Sequence, residues 1–204
     1  MKTSVIIPIY FSRLDLYKII DRCIKSFKPK FEHELILVDD CSPIPCDEWP
    51  ITIRNKKNLG FTKTVNIGLK YSTGDIIWVV NDDIEFNDRI LDIMPKIKND
   101  AIYTPTTPGD VVKIDKSTGN DDKFGHFWGV TRKTLDKLGY LDERFIHYYS
   151  DIDMWTRAKE LGIKIIKLWD YPVYHHGGAT YKTTDQYRYR KDQDSYQEKY
   201  GRID

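Results

Sequence analysis

Apolar positions along this chain fall into two alternating rhythms. Val5-Ile6-Ile7, Leu35-Ile36-Leu37-Val38 and Ile76-Ile77-Trp78-Val79-Val80 are short continuous runs, the pattern of strands covered on both faces. Between the first two, Leu14, Tyr17, Ile20, Cys23, Ile24 and Phe27 recur at helical spacing, and Ser12 offers a cap. The pattern predicts a strand over Thr3 to Ile9 with Pro8 stopping the ladder, a helix over Leu14 to Phe27, and a strand over Glu34 to Val38. Ser42 to Pro45 reads as a loop, Ile51 to Arg54 as a short strand and Asn58-Leu59-Gly60 as a turn. A helix over Phe61 to Tyr71, closed by Gly74, and a strand over Asp75 to Val80 complete a β-α-β-α-β unit, hence a parallel sheet with right-handed crossovers.

The second half is less regular. Asn87 to Lys98 is expected to be helical, and Ala101 to Thr106 and Val111 to Ile114 to be strands flanking Pro108-Gly109. Asp115 to Asp122 is a polar, mobile loop, and Phe124 to Val130 is aromatic and punctuated by glycine. Short helices follow over Lys133 to Leu138 and Asp151 to Leu161, ended by Gly139 and Gly162. Ile163 to Leu168 and Tyr171 to His175 read as strands, and Thr183 to Tyr200 as a polar helix.

The feature that points to chemistry is how the strands end. Trp78-Val79-Val80 runs into Asn81-Asp82-Asp83, and Leu37-Val38 into Asp39-Asp40. Paired acids at the end of a buried strand repel unless a cation or a proton separates them. Hard carboxylate oxygens suit Mg²⁺ or Mn²⁺. At the carboxyl edge of a parallel sheet, where ligands of such sheets bind, this suggests a metal-bound diphosphate. The plainer alternative is that the acids merely precede a helix capped by Asn87. No G-x-G-x-x-G follows the first strand and no G-x-x-x-x-G-K-[ST] occurs, so a dinucleotide fingerprint and a P-loop are both missing.

Composition narrows the classes. At 204 residues with 40% hydrophobic and 31% charged positions, the chain is globular and fits a single domain. A net charge of +1 gives no bulk attraction to nucleic acid or anionic lipid. The basic-aromatic run Tyr187-Arg188-Tyr189-Arg190-Lys191 is balanced by nearby acids and reads as a solvated helix face. Cys23, Cys41 and Cys46 form neither a disulfide framework nor a zinc-spaced set. No run approaches the roughly 18 apolar residues of a membrane span, and Met1 to Tyr10 carries no cleavage pattern, so the expectation is a cytoplasmic chain.

Taken in order, these segments resemble the family-2-like glycosyltransferases of the GT-A fold, over nearly the whole length. The resemblance lies in Ser4 to Tyr10, Glu34 to Ser42, Asn58-Leu59-Gly60, Asn66, Gly74-Asp75 and Asn81-Asp82-Asp83. It continues in Leu138 to Phe145, Asp151-Ile152-Asp153 and Val173 to Gly178. It implies a single α/β domain over 1–204: a Rossmann-like nucleotide-sugar-binding half (1–100) with a central, mostly parallel sheet, and a mixed acceptor-binding half (101–204).

The resemblance also implies roles. Pro8 and Tyr10 match the segment lying against the nucleotide base, and Asp40 the acid that bonds the base edge, with Asp39 the competing choice. Lys63, one turn into its helix, is a candidate phosphate contact or simply an exposed lysine. Asn81-Asp82-Asp83 matches the D-x-D position with Asn81 in place of the first acid. Asp83 is then the metal ligand and Asp82 the contact to ribose or metal-bound water. His175 is the second metal ligand, with His176 as fallback, and Lys182 could meet the diphosphate. Asp151 falls at the catalytic base, with Ser150 where a Glu is usual; the alternative is that Asp151 only caps its helix and Asp153 supports the N-terminus. Trp128, in the bulky segment Phe124 to Gly129, and Asp153 are assigned to the acceptor, though Trp128 could equally be core.

The implied function is metal-dependent, inverting transfer of a sugar from a nucleotide-diphosphate donor, expected to be UDP-linked, to an acceptor hydroxyl, with Mn²⁺ or Mg²⁺ as cofactor. The acceptor is a glycan or another hydroxyl compound; a nucleic acid acceptor is not favoured by the charge. The rivals are a nucleotidyltransferase on the same fold and a non-catalytic sugar-nucleotide-binding domain, the latter suggested by Asn81 and Ser150.

Overall fold

The structure is a computed structural model that describes residues 1–44, 47–98, 100–107, 125–176 and 186–201. The expected strand over Val111 to Ile114, the loop over Asp115 to Asp122, Phe124, Cys46, Gly177, Gly178 and Lys182 lie outside these residues. The chain begins β1 (Thr3–Ile9), α1 (Leu14–Ser26), β2 (His33–Asp39), β3 (Ile53–Arg54), α2 (Phe61–Tyr71), β4 (Ile76–Val80) and β5 (Ile84–Glu85). It continues with α3 (Asp88–Ile93), β6 (Ala101–Pro105), β7 (Phe127–Thr131), α4 (Arg132–Leu138), α5 (Ser150–Glu160), β8 (Lys164–Leu168), β9 (Tyr174–His175) and α6 (Gln186–Tyr200).

A 7-stranded sheet runs in the order β3-β2-β1-β4-β7-β6-β8. Its β3, β2, β1 and β4 are mutually parallel, β7 is antiparallel to both β4 and β6, and β6 is parallel to β8. The continuous apolar runs are explained by what covers them. Val5, Ile7 and Ile9 point into a cluster that includes Leu16, Ile20 and Cys23 of α1, while Ile6 points the other way, onto Val65 and Leu69 of α2.

Three local expectations are corrected. Pro8 does not stop β1, which pairs on to Ile9↔Asp39. Ile9 turns its carbonyl toward β2, where it accepts from Asp40 N, so the imino nitrogen of Pro8 faces β4. Pairing with β4 has already ended at Ile6↔Val79, and no rung is lost. Ser12 does not cap α1; Arg13 holds the cap position without a side-chain bond. The helix from Asn87 does not reach Lys98. Asn87 Oδ1 caps it by accepting from Ile90 N, but α3 gives way to a 3-10 turn at Met94–Lys96, where Pro95 cannot continue the ladder.

Candidate functional site

Because β1, β2 and β4 are parallel, their carboxyl ends open on one edge of the sheet. That edge gathers Tyr10, Asp39-Asp40 and Asn81-Asp82-Asp83. The reversed β7 delivers its start there as well: Val80 pairs with Phe127, and Asn81 N donates to His126 O at 2.8 Å. The two-stranded ribbon of β5 and β9 brings in His175 opposite Ile84, locked by His176 N donating to Asp83 O at 2.9 Å.

On the β2 side, Asp39 and Asp40 are both buried. Asp39 accepts from Ser42 N (2.8 Å), Ser42 Oγ (2.6 Å) and Arg54 Nη1 (2.6 Å), fixing its own loop. Asp40 accepts from Leu59 N (2.7 Å), Gly60 N (2.8 Å) and Asn55 Nδ2 (2.9 Å). A carboxylate has about four acceptor positions, of which the described residues fill three at each. Gly60 has φ +86, and a Cβ there would lie 2.6 Å from Ile146 Cγ2, so only glycine fits this turn. Tyr10 is half-buried at the exit of β1, its amide 3.5 Å from Asp82 Oδ2, while Pro8 is buried within the strand. Lys63 is exposed on the first turn of α2 and makes no hydrogen bond or ion pair among the described residues.

The metal candidates come together. His175 Nε2 lies 3.1 Å from Asp83 Oδ1, close to the roughly 3.0 Å between neighbouring ligands of an octahedral ion with bonds of about 2.1 Å. His175 Nε2 and Asn81 Oδ1 are buried and make no hydrogen bond of normal geometry among the described residues. Burial and the neighbouring Asp83 charge push the Asp82 carboxyl up to about 8, with the Tyr10 amide pulling in the opposite direction. A cation between two such acids would relieve their repulsion. The donor set fits a small divalent ion. Among the described residues no group of three or more His, Cys, Asp or Glu side chains could hold one alone, so an ion bound here would draw the rest of its shell from other oxygen donors. His176 is committed elsewhere, its Nε2 2.7 Å from Glu85 Oε1.

Asp151 sits on the first turn of α5, where the helix start favours a carboxylate. Its carboxylate lies against the Gly125 backbone, since a Cβ at Gly125 would meet Asp151 Oδ2 at 2.3 Å. Burial raises its pKa above the ordinary carboxylate value. Gly125 adjoins His126, so Asp151 and the Asp83–His175 pair share this edge. The helix is entered through Tyr149, which takes a left-handed conformation with φ 61 that is costly for a bulky residue.

Two expected acceptor contacts are displaced. Trp128 is 1% exposed, packed with Ile6, Val79 and Val130, so it is a core residue and cannot stack on a sugar. Asp153 is fully buried and already accepts from Arg157 Nε (2.8 Å), Tyr200 Oη (2.8 Å) and Lys199 Nζ. It is an internal ion-pair hub, not an acceptor ligand.

Other contacts at the site are not evident from motif spacing. The His126 ring stacks on His175 at 4.5 Å. Buried Asn66 exchanges bonds with Leu141 N (3.0 Å) and Leu141 O (2.9 Å), tying the segment before α5 to α2. The largest correction concerns α6, which is not simply a solvated face: Asp192 and Tyr196 are both 0% exposed. A stripe at Tyr189, Asp192, Tyr196 and Tyr200 carried that signal, but net charge concealed it.

Comparison with known proteins bears on this geometry. The description "Glycosyl transferase family 2" matches residues 4–149. Poly(ribitol-phosphate) beta-N-acetylglucosaminyltransferase TarS of Staphylococcus aureus (strain Mu50) is 28% identical over 168 residues, 78% of this chain and 28% of TarS. Dolichol-phosphate mannosyltransferase of Pyrococcus furiosus is 31% identical over 109 residues, 48% of this chain and 31% of the relative. The chain thus spans about a third or less of these relatives. In structure, S. aureus TarS 1-349 in complex with UDP-GlcNAc aligns with TM-score 0.65 and 19% identity, over 94% of this chain and 64% of that one. Mannosyltransferase PcManGT from Pyrobaculum calidifontis, in complex with GDP-Man and Mn²⁺, aligns with TM-score 0.63 and 15% identity, over 88% and 59%. The fold is that of the GT-A glycosyltransferases, and with the family description spanning both the acid-ended strands and the segment leading to Asp151, the chain belongs to glycosyl transferase family 2.

Proposed function

We propose that this chain is a metal-dependent inverting glycosyltransferase that moves a sugar from a UDP-linked donor to an acceptor hydroxyl. The observation that carries the reading is the approach of Asp83 Oδ1 and His175 Nε2 to 3.1 Å at the sheet edge that also holds Asp82 and, beside Gly125, Asp151. Asp83 and His175, with Asn81 Oδ1 nearby in sequence, would hold Mn²⁺ or Mg²⁺. When bound, the ion neutralises charge on the diphosphate leaving group. Asp40 presents its remaining acceptor position to the imide edge of the base, Tyr10 packs against the nucleoside, and Asp82 faces ribose. Lys63 is exposed near the turn that Asp40 holds, a candidate for long-range attraction of the diphosphate. Asp151, with a raised pKa, accepts the proton of the acceptor hydroxyl as its oxygen attacks the anomeric carbon opposite the diphosphate. A single displacement of this kind inverts the anomeric configuration.

The similarity to TarS, a poly(ribitol-phosphate) beta-N-acetylglucosaminyltransferase, and to TarS bound to UDP-GlcNAc supports a UDP-sugar as the first donor to test and a polyol-phosphate chain as one acceptor. The test is UDP release from a panel of UDP-sugars with Mn²⁺, with and without acceptors. Mn²⁺-dependent UDP release that rises with an acceptor is expected. Release of pyrophosphate instead would identify a nucleotidyltransferase, and UDP binding without any turnover a non-catalytic domain.

A further inference from the structure

We propose that Asp192 of α6 is a positioning residue for Asp151, setting the base against the donor cradle through three backbone amides. The inference rests on the catalytic reading of Asp151 given above. Asp192 is 0% exposed. Its Oδ1 accepts from Ile146 N (2.8 Å), and its Oδ2 from His147 N (2.8 Å) and Tyr148 N (2.9 Å). Three successive amides converging on one carboxylate form an anion nest filled from within the molecule. The next residue is the left-handed Tyr149 that begins α5, and Asp151 follows on the first turn.

The same helix also grips the chain beyond the base. Lys199 Nζ and Tyr200 Oη both donate to Asp153 Oδ1, so Asp151 is bracketed by contacts from a single rigid element. The segment that Asp192 holds is also the wall of the donor side. Ile146 O accepts from Thr62 N (3.1 Å) at the start of α2, and Ile146 packs against Gly60, whose amide is bound by Asp40. Arg188 Nη1, also on α6, lies 2.6 Å from His147 Nε2, a further contact between the helix and this segment. A carboxylate is a costly way to fill a buried position when packing alone is needed. Aimed at three consecutive amides, it specifies where one segment lies.

The experiment compares wild type with Asp192→Asn and Lys199→Met, measuring kcat, KM for donor, UDP affinity with Mn²⁺ and the pH profile of kcat. Asp192→Asn keeps size but turns an amide donor toward at least one of the three N–H groups. The expected result is a fall in kcat of about 10- to 100-fold, UDP affinity and donor KM within about twofold of wild type, and a shifted acidic limb as the surroundings of Asp151 relax. An unchanged kcat and pH profile per folded molecule, with only a lower melting temperature, would overturn the inference. Should Asp192→Asn not fold, amide hydrogen exchange on the wild-type protein decides: Ile146, His147 and Tyr148 should be protected as strongly as the middle of α6, and exchange at open-loop rates overturns the clamp. Absence of transfer by the wild type would count against the glycosyl-transfer reading, while the exchange result still tests the clamp.

Discussion

The rings of His126 and His175 lie face to face, their centroids 4.5 Å apart and their planes 12° from parallel. One ring comes from the turn into β7 and the other from β9, so two separate elements set the direction of the His175 Nε2 that faces Asp83. Supporting groups of this kind typically alter metal affinity 10- to 100-fold. His126→Ala is expected to weaken Mn²⁺-dependent UDP binding by about tenfold, and His126→Phe, which retains a flat ring, to weaken it less. His175→Ala and Asp83→Ala should each cost at least as much. Isothermal titration with Mn²⁺ and UDP measures all four, and equal affinities would remove this cluster from metal binding.

Asp151→Asn removes the proton acceptor while conserving shape. Transfer should drop by about 10²- to 10⁴-fold with Mn²⁺–UDP affinity unchanged. Because burial raises the Asp151 pKa, wild-type kcat should fall with decreasing pH along a limb lying above the ordinary carboxylate range, and the variant should lack that limb. A wild-type profile flat down to the ordinary carboxylate range would contradict this.

Trp128→Ala should destabilise the fold by about 3 to 5 kcal/mol, as expected for emptying a core aromatic site, seen as a lower midpoint in urea unfolding. The acceptor KM of the remaining folded enzyme should be close to that of wild type. A selective rise in acceptor KM without loss of stability would return Trp128 to the acceptor pocket.

Glu34 predicts an acid transition remote from the site. Burial works to raise its pKa, but Lys2 Nζ, Ser4 Oγ and Thr73 bond the charged form and lower it from 4.5 to about 2. The folded state therefore holds this proton less tightly than the unfolded chain. The stabilisation is complete above pH 4.5 and disappears as the pH falls toward about 2. Glu34→Gln should lower the melting temperature at pH 6 and flatten its decline across that window. Parallel melting curves for the two proteins would show the network to be inconsequential.

The first half of the chain was legible in the sequence because its signals are local. Unbroken apolar runs mark strands covered on both faces, and an acid straight after such a run has to lie at the sheet edge. Helix spacing placed α1 and α2 closely for the same reason. Trp128 was ambiguous because a bulky aromatic beside glycines looks the same in a core strand and in a sugar pocket; its burial and the pairing of β7 with β4 separate them. The structural roles of Asp153 and Asp192 were not legible because what each carboxylate touches, Tyr200 in one case and the Ile146 amide in the other, is distant in sequence. The orientation of His175 likewise depends on His126, which lies on a different strand segment.

The reversal of β7 between β4 and β6 has a topological corollary. β6 leaves the sheet, and β7 re-enters it, on the edge where β2 and β4 run into their acids. The connection between Pro105 and Phe127 therefore starts and finishes on the acid-bearing edge, so its length can vary without breaking a rung of the ladder.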